Sequence, residues 1–87
     1  KYSLVMGYLS KASGNYSTAI GYETEAAGHY STAMGFKTIS SSFHSTAIGD
    51  QTKASGERST AMGYKTTASG RFSVAMGNYS TASEYAT

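Results

Sequence analysis

Glycine recurs at every seventh residue along almost the whole of this 87-residue chain. A seven-residue spacing also occurs in coiled coils, where the repeating residues are apolar and lie on a helix. Glycine costs about 1 kcal/mol relative to alanine in a helix interior, so two glycines in each fourteen residues, with threonines between them, would melt a helix. The spacing therefore predicts a non-helical structure around these glycines: Gly7, Gly14, Gly21, Gly28, Gly35, Gly49, Gly56, Gly63, Gly70 and Gly77.

The full repeating unit has fourteen residues, and its positions are numbered here from its first glycine. Successive units are "GNYSTAIGYETEAA", "GHYSTAMGFKTISS", "SFHSTAIGDQTKAS", "GERSTAMGYKTTAS" and "GRFSVAMGNYSTAS", which together span residues 14–83. Recurrence at a fixed period indicates a repeat architecture, and stretches such as "YSTAI" suit short strands. Each unit is predicted to form one coil of two strands and two turns. The glycines at position eight are predicted to be turn residues with positive φ: Gly7, Gly21, Gly35, Gly49, Gly63 and Gly77.

Side-chain size alternates along each unit, which sorts the residues into inner and outer faces. Positions four, six, eleven and thirteen are almost uniformly Ser, Ala or Thr, and this predicts a thin interior and a flattened, all-β roll. Positions three and seven are large and are predicted to point outward from the first strand. An apolar stripe of this kind predicts assembly of identical chains about a rotation axis. Its predicted interface residues are Tyr2, Met6, Tyr16, Ile20, Tyr30, Met34, His44, Ile48, Arg58, Met62, Phe72 and Met76.

Positions ten and twelve vary and carry half of the charged residues, so they are predicted to face water. Three lysines in these rows are the candidate ligand-facing residues: Lys37, Lys53 and Lys65. Repeated weak sites along such rows would bind a fibrous ligand through avidity.

Composition excludes several classes of function. The absence of cysteine rules out disulfides and cysteine-bearing metal sites, and a net charge of +2 without basic runs argues against nucleic-acid binding. No apolar run is long enough to cross a membrane, so no membrane contact is expected from this stretch. Two histidines in different units and no convergent acidic pair argue against an enzyme, and no cofactor is expected. Asp50 is the only aspartate, which argues against a calcium-binding roll.

Two members of the position-three row leave alternatives open. Three copies of His44 could meet near the axis of an assembly and bind a metal or an anion, or each could simply pack as an aromatic residue would. Arg58 could stack on an aromatic ring of a neighbouring chain or reach a carboxylate. The threonine rows also resemble those of ice-binding solenoids, although the position-five threonines share their face with Met and Tyr.

The recurring motif S-T-A-[IM]-G, followed seven residues later by A-S-G or A-A-G, resembles the head repeat of YadA-like trimeric autotransporter adhesins. The resemblance implies a left-handed parallel β-roll of fourteen-residue coils, three chains about one axis, and display on the outer membrane of a Gram-negative bacterium. It also implies adhesion to matrix proteins such as collagen or to other cells. The same roll would serve as a structural or tip module of another trimeric fibre, such as a phage fibre.

Some residues depart from the family pattern. Thr18, Thr32, Thr46 and Thr60 stand where the family usually has valine, which predicts a more polar interface between chains. Residues 1–87 are predicted to form a single head domain of about six repeats, with residues 84–87 leaving the roll.

Overall fold

The computed structural model describes residues 3–83 and consists of β-strands joined by tight turns. Long and short strands alternate, one of each in every fourteen residues. The long strands are β1 (Leu4–Tyr8), β3 (Thr18–Tyr22), β5 (Thr32–Phe36), β7 (Thr46–Asp50), β9 (Thr60–Tyr64) and β11 (Val74–Asn78). The short strands are β2 (Lys11–Ala12), β4 (Glu25–Ala26), β6 (Ile39–Ser40), β8 (Lys53–Ala54), β10 (Thr67–Ala68) and β12 (Thr81–Ala82).

The long strands form one parallel sheet in the order β1-β3-β5-β7-β9-β11, and the short strands form a second in the order β12-β10-β8-β6-β4-β2. Every pair is in register with the repeat, so Thr32 lies opposite Thr46 and Ala33 opposite Ala47. The chain thus winds as a parallel β-solenoid of about six coils, which confirms the predicted architecture and period. Its extents are 30 × 21 × 10 Å. The 30 Å extent matches the height of six coils stacked at about 4.8 Å. The 21 Å extent is then the width of one coil, and the 10 Å extent is its thickness.

The interior between the sheets contains only small side chains, as the alternation predicts. Large apolar residues do not fit in so thin a roll, and the buried core residues are alanine, serine and threonine. They are Ser17, Ala19, Thr24, Ala26, Ser31, Ala33, Thr38, Ser40, Ser45, Ala47, Thr52, Ala54, Ser59, Ala61, Thr66, Ala68, Ser73, Ala75 and Ala82.

The turn before each long strand from β3 onward is closed by a serine at position four. The Ser17 hydroxyl donates to the carbonyl oxygen of Gly14 at 2.6 Å, and Ser59 does the same to Gly56. Between them lies the position-three residue in a left-handed conformation, with φ of 59° at Tyr16. The prediction that position three belongs to the first strand is therefore wrong. A strand cannot include this left-handed residue, and β3 begins two residues later at Thr18.

The position-eight glycines lie inside the long strands and not in a turn, contrary to the sequence-based prediction. Gly21 is the fourth residue of β3, with φ of 131°. Positive φ is found at all six of these glycines, where it bends the strand without ending its pairing to the next coil. A Cβ on Gly21 would also collide with the backbone of Gly35, because successive coils approach closely at this position.

Candidate interaction surfaces

The outer side of the long-strand sheet, called here the long-strand face, carries the residues of positions five, seven and nine. Alternation along a strand places these three positions on one side and the core alanines on the other. Position seven is a continuous row of methionine and isoleucine. Ile20, Met34, Ile48 and Met62 are partly covered by neighbouring strands, and Met6 and Met76 at the two ends are more than half exposed. The long-strand face is therefore apolar and open along its whole length.

Position nine adds an aromatic row at the carboxyl-terminal edge of this face, which the sequence analysis missed. The rings of Tyr8 and Tyr22 stack with centroids 5.3 Å apart, and those of Tyr22 and Phe36 at 5.2 Å. Tyr64 continues the row further along. Extending the alternation two residues beyond position seven would have identified these residues, because all six long strands end at position nine.

Position three forms a second row of stacked side chains, called here the edge ladder, at the amino-terminal edge of the same sheet. Tyr16 stacks on Tyr30 with centroids 5.1 Å apart, and Tyr30 on His44 at 4.9 Å. The Arg58 guanidinium lies 5.8 Å from the centroid of the Phe72 ring. Tyr16, Tyr30 and Phe72 each remain about half exposed. Tyr2 was assigned to this row from the sequence and lies outside the described residues.

Asp50 interrupts the position-nine row in the fourth coil. It pairs in register with Phe36 on one side and with Tyr64 on the other. Its Oδ1 atom is buried and has no hydrogen-bond partner among residues 3–83. A buried carboxylate oxygen without a donor is costly, so Asp50 is unusual in a row whose neighbouring coils carry aromatic rings at this position.

The three candidate ligand-facing lysines lie in two different rows. Lys37 and Lys65 occupy the turn after a long strand, with φ of 55° and 53°, while Lys53 begins the short strand β8. Lys37 and Lys53 are exposed. Lys37 makes a long ion pair with Glu23, whose carboxylate oxygen is 3.9 Å from Nζ.

Lys65 departs from the expectation of a freely solvated side chain. It is only partly exposed, and its Nζ lies 5.4 Å and 5.5 Å from the ring centroids of Tyr64 and Tyr79. The charge that Tyr64 and Tyr79 carry once ionised raises the pKa of Lys65 above its ordinary value. Lys65 therefore remains a cation at neutral pH, held between two aromatic rings.

The part of the chain that the structure describes contains no group of three or more His, Asp or Glu side chains able to hold a metal ion. His29 serves the local structure, because its Nδ1 accepts a hydrogen bond of 3.0 Å from the backbone N–H of Asn15. Within residues 3–83 no helix has the length and apolarity needed to cross a membrane.

Comparison with protein-family models finds one family whose repeat matches the whole roll. The family model described as YadA head domain repeat (2 copies) matches residues 1–24, 12–38, 26–52, 40–66, 54–80 and 68–84 in overlapping copies. This confirms the resemblance drawn from the S-T-A-[IM]-G motif. A search of curated proteins finds no significant match.

Proposed function

Because the chain belongs to the YadA head domain repeat family, we propose that it is the non-enzymatic head of a trimeric surface adhesin. In this proposal three copies assemble about one axis parallel to the stack of coils, and each roll winds left-handed, as the resemblance to the family implies. The head is displayed on the outer membrane of a Gram-negative bacterium by segments beyond this stretch. Its ligands are matrix proteins of the collagen type or molecules on other cells.

The observation that carries the trimer is the apolar long-strand face. The thin interior has no room for Met, Ile or aromatic side chains, so the Met, Ile and aromatic residues of the long strands are all on the outside. Soluble proteins rarely expose a continuous apolar patch along their full length. Identical chains present identical faces, and packing them around a rotation axis buries all of the faces at once.

The energy available from this burial is substantial. Fully burying one large apolar side chain contributes about 1.5 to 3 kcal/mol. Ile20, Met34, Ile48 and Met62 are already partly covered within one chain, so each contributes less than this upper value. The aromatic row at position nine adds further apolar surface that an assembly would bury.

Ligand binding is proposed to use the outward rows at positions ten and twelve, in particular Lys37, Lys53 and Lys65. Three chains present three copies of each row, and the coil spacing repeats every ~4.8 Å along the rod. A fibrous ligand that contacts several of these weak sites gains affinity through effective concentration and needs no deep pocket. Salt should weaken such binding, because the lysine charges are screened.

The proposed activity is tested by surface plasmon resonance of the assembled head on immobilised fibrillar collagen and on other matrix proteins. We expect slow dissociation from at least one matrix protein, lost when assembly is disrupted by Ile48→Asp. Assembly of the head without binding to any matrix protein or cell surface would overturn the adhesive function and favour a purely structural fibre module.

A further inference from the structure

Opposite charges replace aromatic residues on the two edges of the long-strand face at the same level of the roll. At the amino-terminal edge, the edge ladder is aromatic except at His44 and Arg58, in the fourth and fifth coils. At the carboxyl-terminal edge, the position-nine row is aromatic along its first three coils and becomes acidic at Asp50, in the fourth coil. The two edges are at opposite ends of the long strands, so Asp50 cannot reach His44 or Arg58 of its own chain through that face.

Rotation about an axis parallel to the stack of coils brings the two edges together between neighbouring chains. Such a rotation keeps the stacking direction and makes the strands circulate head to tail around the axis. The carboxyl-terminal edge of one chain therefore meets the amino-terminal edge of the next. In a closed cyclic assembly the equivalent coils of the chains lie at equal heights.

The heights of the charged residues then decide which of them meet. One coil of fourteen residues advances by about 4.8 Å along the stack. Asp50 follows His44 by six residues and precedes Arg58 by eight. Its carboxylate consequently lies at or above the level of the next chain's His44 and below the level of its Arg58, within ~5 Å of both heights.

We propose that Asp50 of each copy is bound between His44 and Arg58 of the neighbouring copy, and that this contact fixes the axial register of the homotrimer. This inference rests on the proposed trimer. The proposed contact supplies the hydrogen-bond donor that the buried Oδ1 atom of Asp50 lacks among residues 3–83 of its own chain. It also keeps the three His44 side chains at three separate contacts, away from a shared site on the axis.

A register device is needed because the apolar rows are periodic and would accept a neighbour displaced by one coil, an alignment that cannot close into a ring with coils at equal heights. A slip of one coil between neighbours places methionine and isoleucine against methionine and isoleucine again, so the position-seven row alone does not discriminate between alignments. A slip of one coil leaves Asp50 beside only one of His44 and Arg58, and a slip of two coils leaves it beside neither. An unpaired buried carboxylate strongly disfavours such alignments.

Cysteine cross-linking tests the geometry, because the chain has no cysteine of its own. A disulfide requires Cα atoms within about 7 Å, which the opposite edges of one chain do not provide. We expect the double variant Asp50→Cys/Arg58→Cys to oxidise to a covalent trimer on a denaturing gel. The matched control Asp50→Cys/Tyr16→Cys should stay monomeric on the same gel, because Tyr16 lies more than two coils away. Cross-linking of the control instead of the first pair would overturn the register.

A charge-swap cycle tests the interaction itself in otherwise complete chains. Asp50→Lys and Arg58→Glu should each raise the trimer dissociation constant by about tenfold or more, and the double variant should recover most of the loss. Circular dichroism establishes that each variant retains its β-structure. Additive losses in the double variant would contradict the pairing. A wild-type chain that is monomeric by native mass spectrometry would overturn both the trimer and this inference, whereas a trimer lacking the cross-link would overturn this inference alone.

Discussion

A side chain on Gly35 would collide with the carbonyl oxygen of Gly49, one coil further along the roll. Gly77 has almost the same backbone conformation, with φ of 115° against 119° at Gly35. Among residues 3–83, however, a Cβ on Gly77 would have only the Ser80 hydroxyl near it, at 3.8 Å. Substitutions at these two glycines therefore distinguish the cost of the backbone conformation from the cost of the close approach between coils.

We expect Gly35→Ala to destabilise the roll much more than Gly77→Ala. Both variants place a side chain at positive φ, which costs on the order of 1 to 3 kcal/mol. Only Gly35→Ala also forces neighbouring coils apart. The melting temperatures of the two variants give the comparison, and equal decreases would mean that conformation alone requires glycine at position eight.

Buried hydroxyl groups provide a second matched pair. The Thr52 hydroxyl is buried and has no hydrogen-bond partner in the described part of the chain, whereas the Ser59 hydroxyl donates to the carbonyl oxygen of Gly56 at 2.6 Å. Thr52→Val should leave stability unchanged or increase it, because it removes an unsatisfied polar group and keeps the shape of the side chain. Ser59→Ala should cost about 0.5 to 1.5 kcal/mol by removing a satisfied bond. Urea denaturation measures both values, and a larger loss for Thr52→Val would show that its hydroxyl is bonded in solution.

Much of this architecture could be predicted from the sequence because each structural requirement recurs in about six successive repeats. The small residues at positions four, six, eleven and thirteen specify the thin core, as Ala33 and Thr38 illustrate. The left-handed residues at positions three and ten could not be predicted, because Tyr16 and Gln51 are not residues that favour this conformation. The sequence-based account left position nine out of the outward rows and used Asp50 only as an argument against calcium binding, because the significance of Asp50 depends on the sheet register.

The left-handed residues lead to a prediction of their own. Gln51 is exposed, with φ of 59°, and its backbone N–H donates to the carbonyl oxygen of Phe36 at 2.6 Å. Gln51→Gly should raise the melting temperature, since glycine adopts positive φ without the cost of about 1 kcal/mol that other residues incur. Lys53→Gly, in strand β8 of the same coil, should lower the melting temperature because glycine weakens strands. A lower melting temperature for Gln51→Gly than for Lys53→Gly would argue against backbone strain at position ten.

The lysine rows give a prediction about ligand capture. Lys53→Glu should weaken binding to matrix protein and leave the melting temperature nearly unchanged, because Lys53 is exposed on a short strand. Lys65→Glu should reduce both the binding to matrix protein and the melting temperature, because the substitution also removes the contacts with Tyr64 and Tyr79. Binding and thermal denaturation of the same preparations distinguish the two effects. Complete loss of binding from Lys53→Glu alone would contradict a mechanism of many weak sites.

The central claim is that the apolar long-strand face is buried between three copies of this chain, and native mass spectrometry tests it most directly. At micromolar concentration we expect a species of three times the 9.1 kDa mass of one chain. Ile48→Asp should abolish this species, because it places an unpaired charge in all three contacts. A well-folded wild-type chain of 9.1 kDa under the same conditions would contradict the claim.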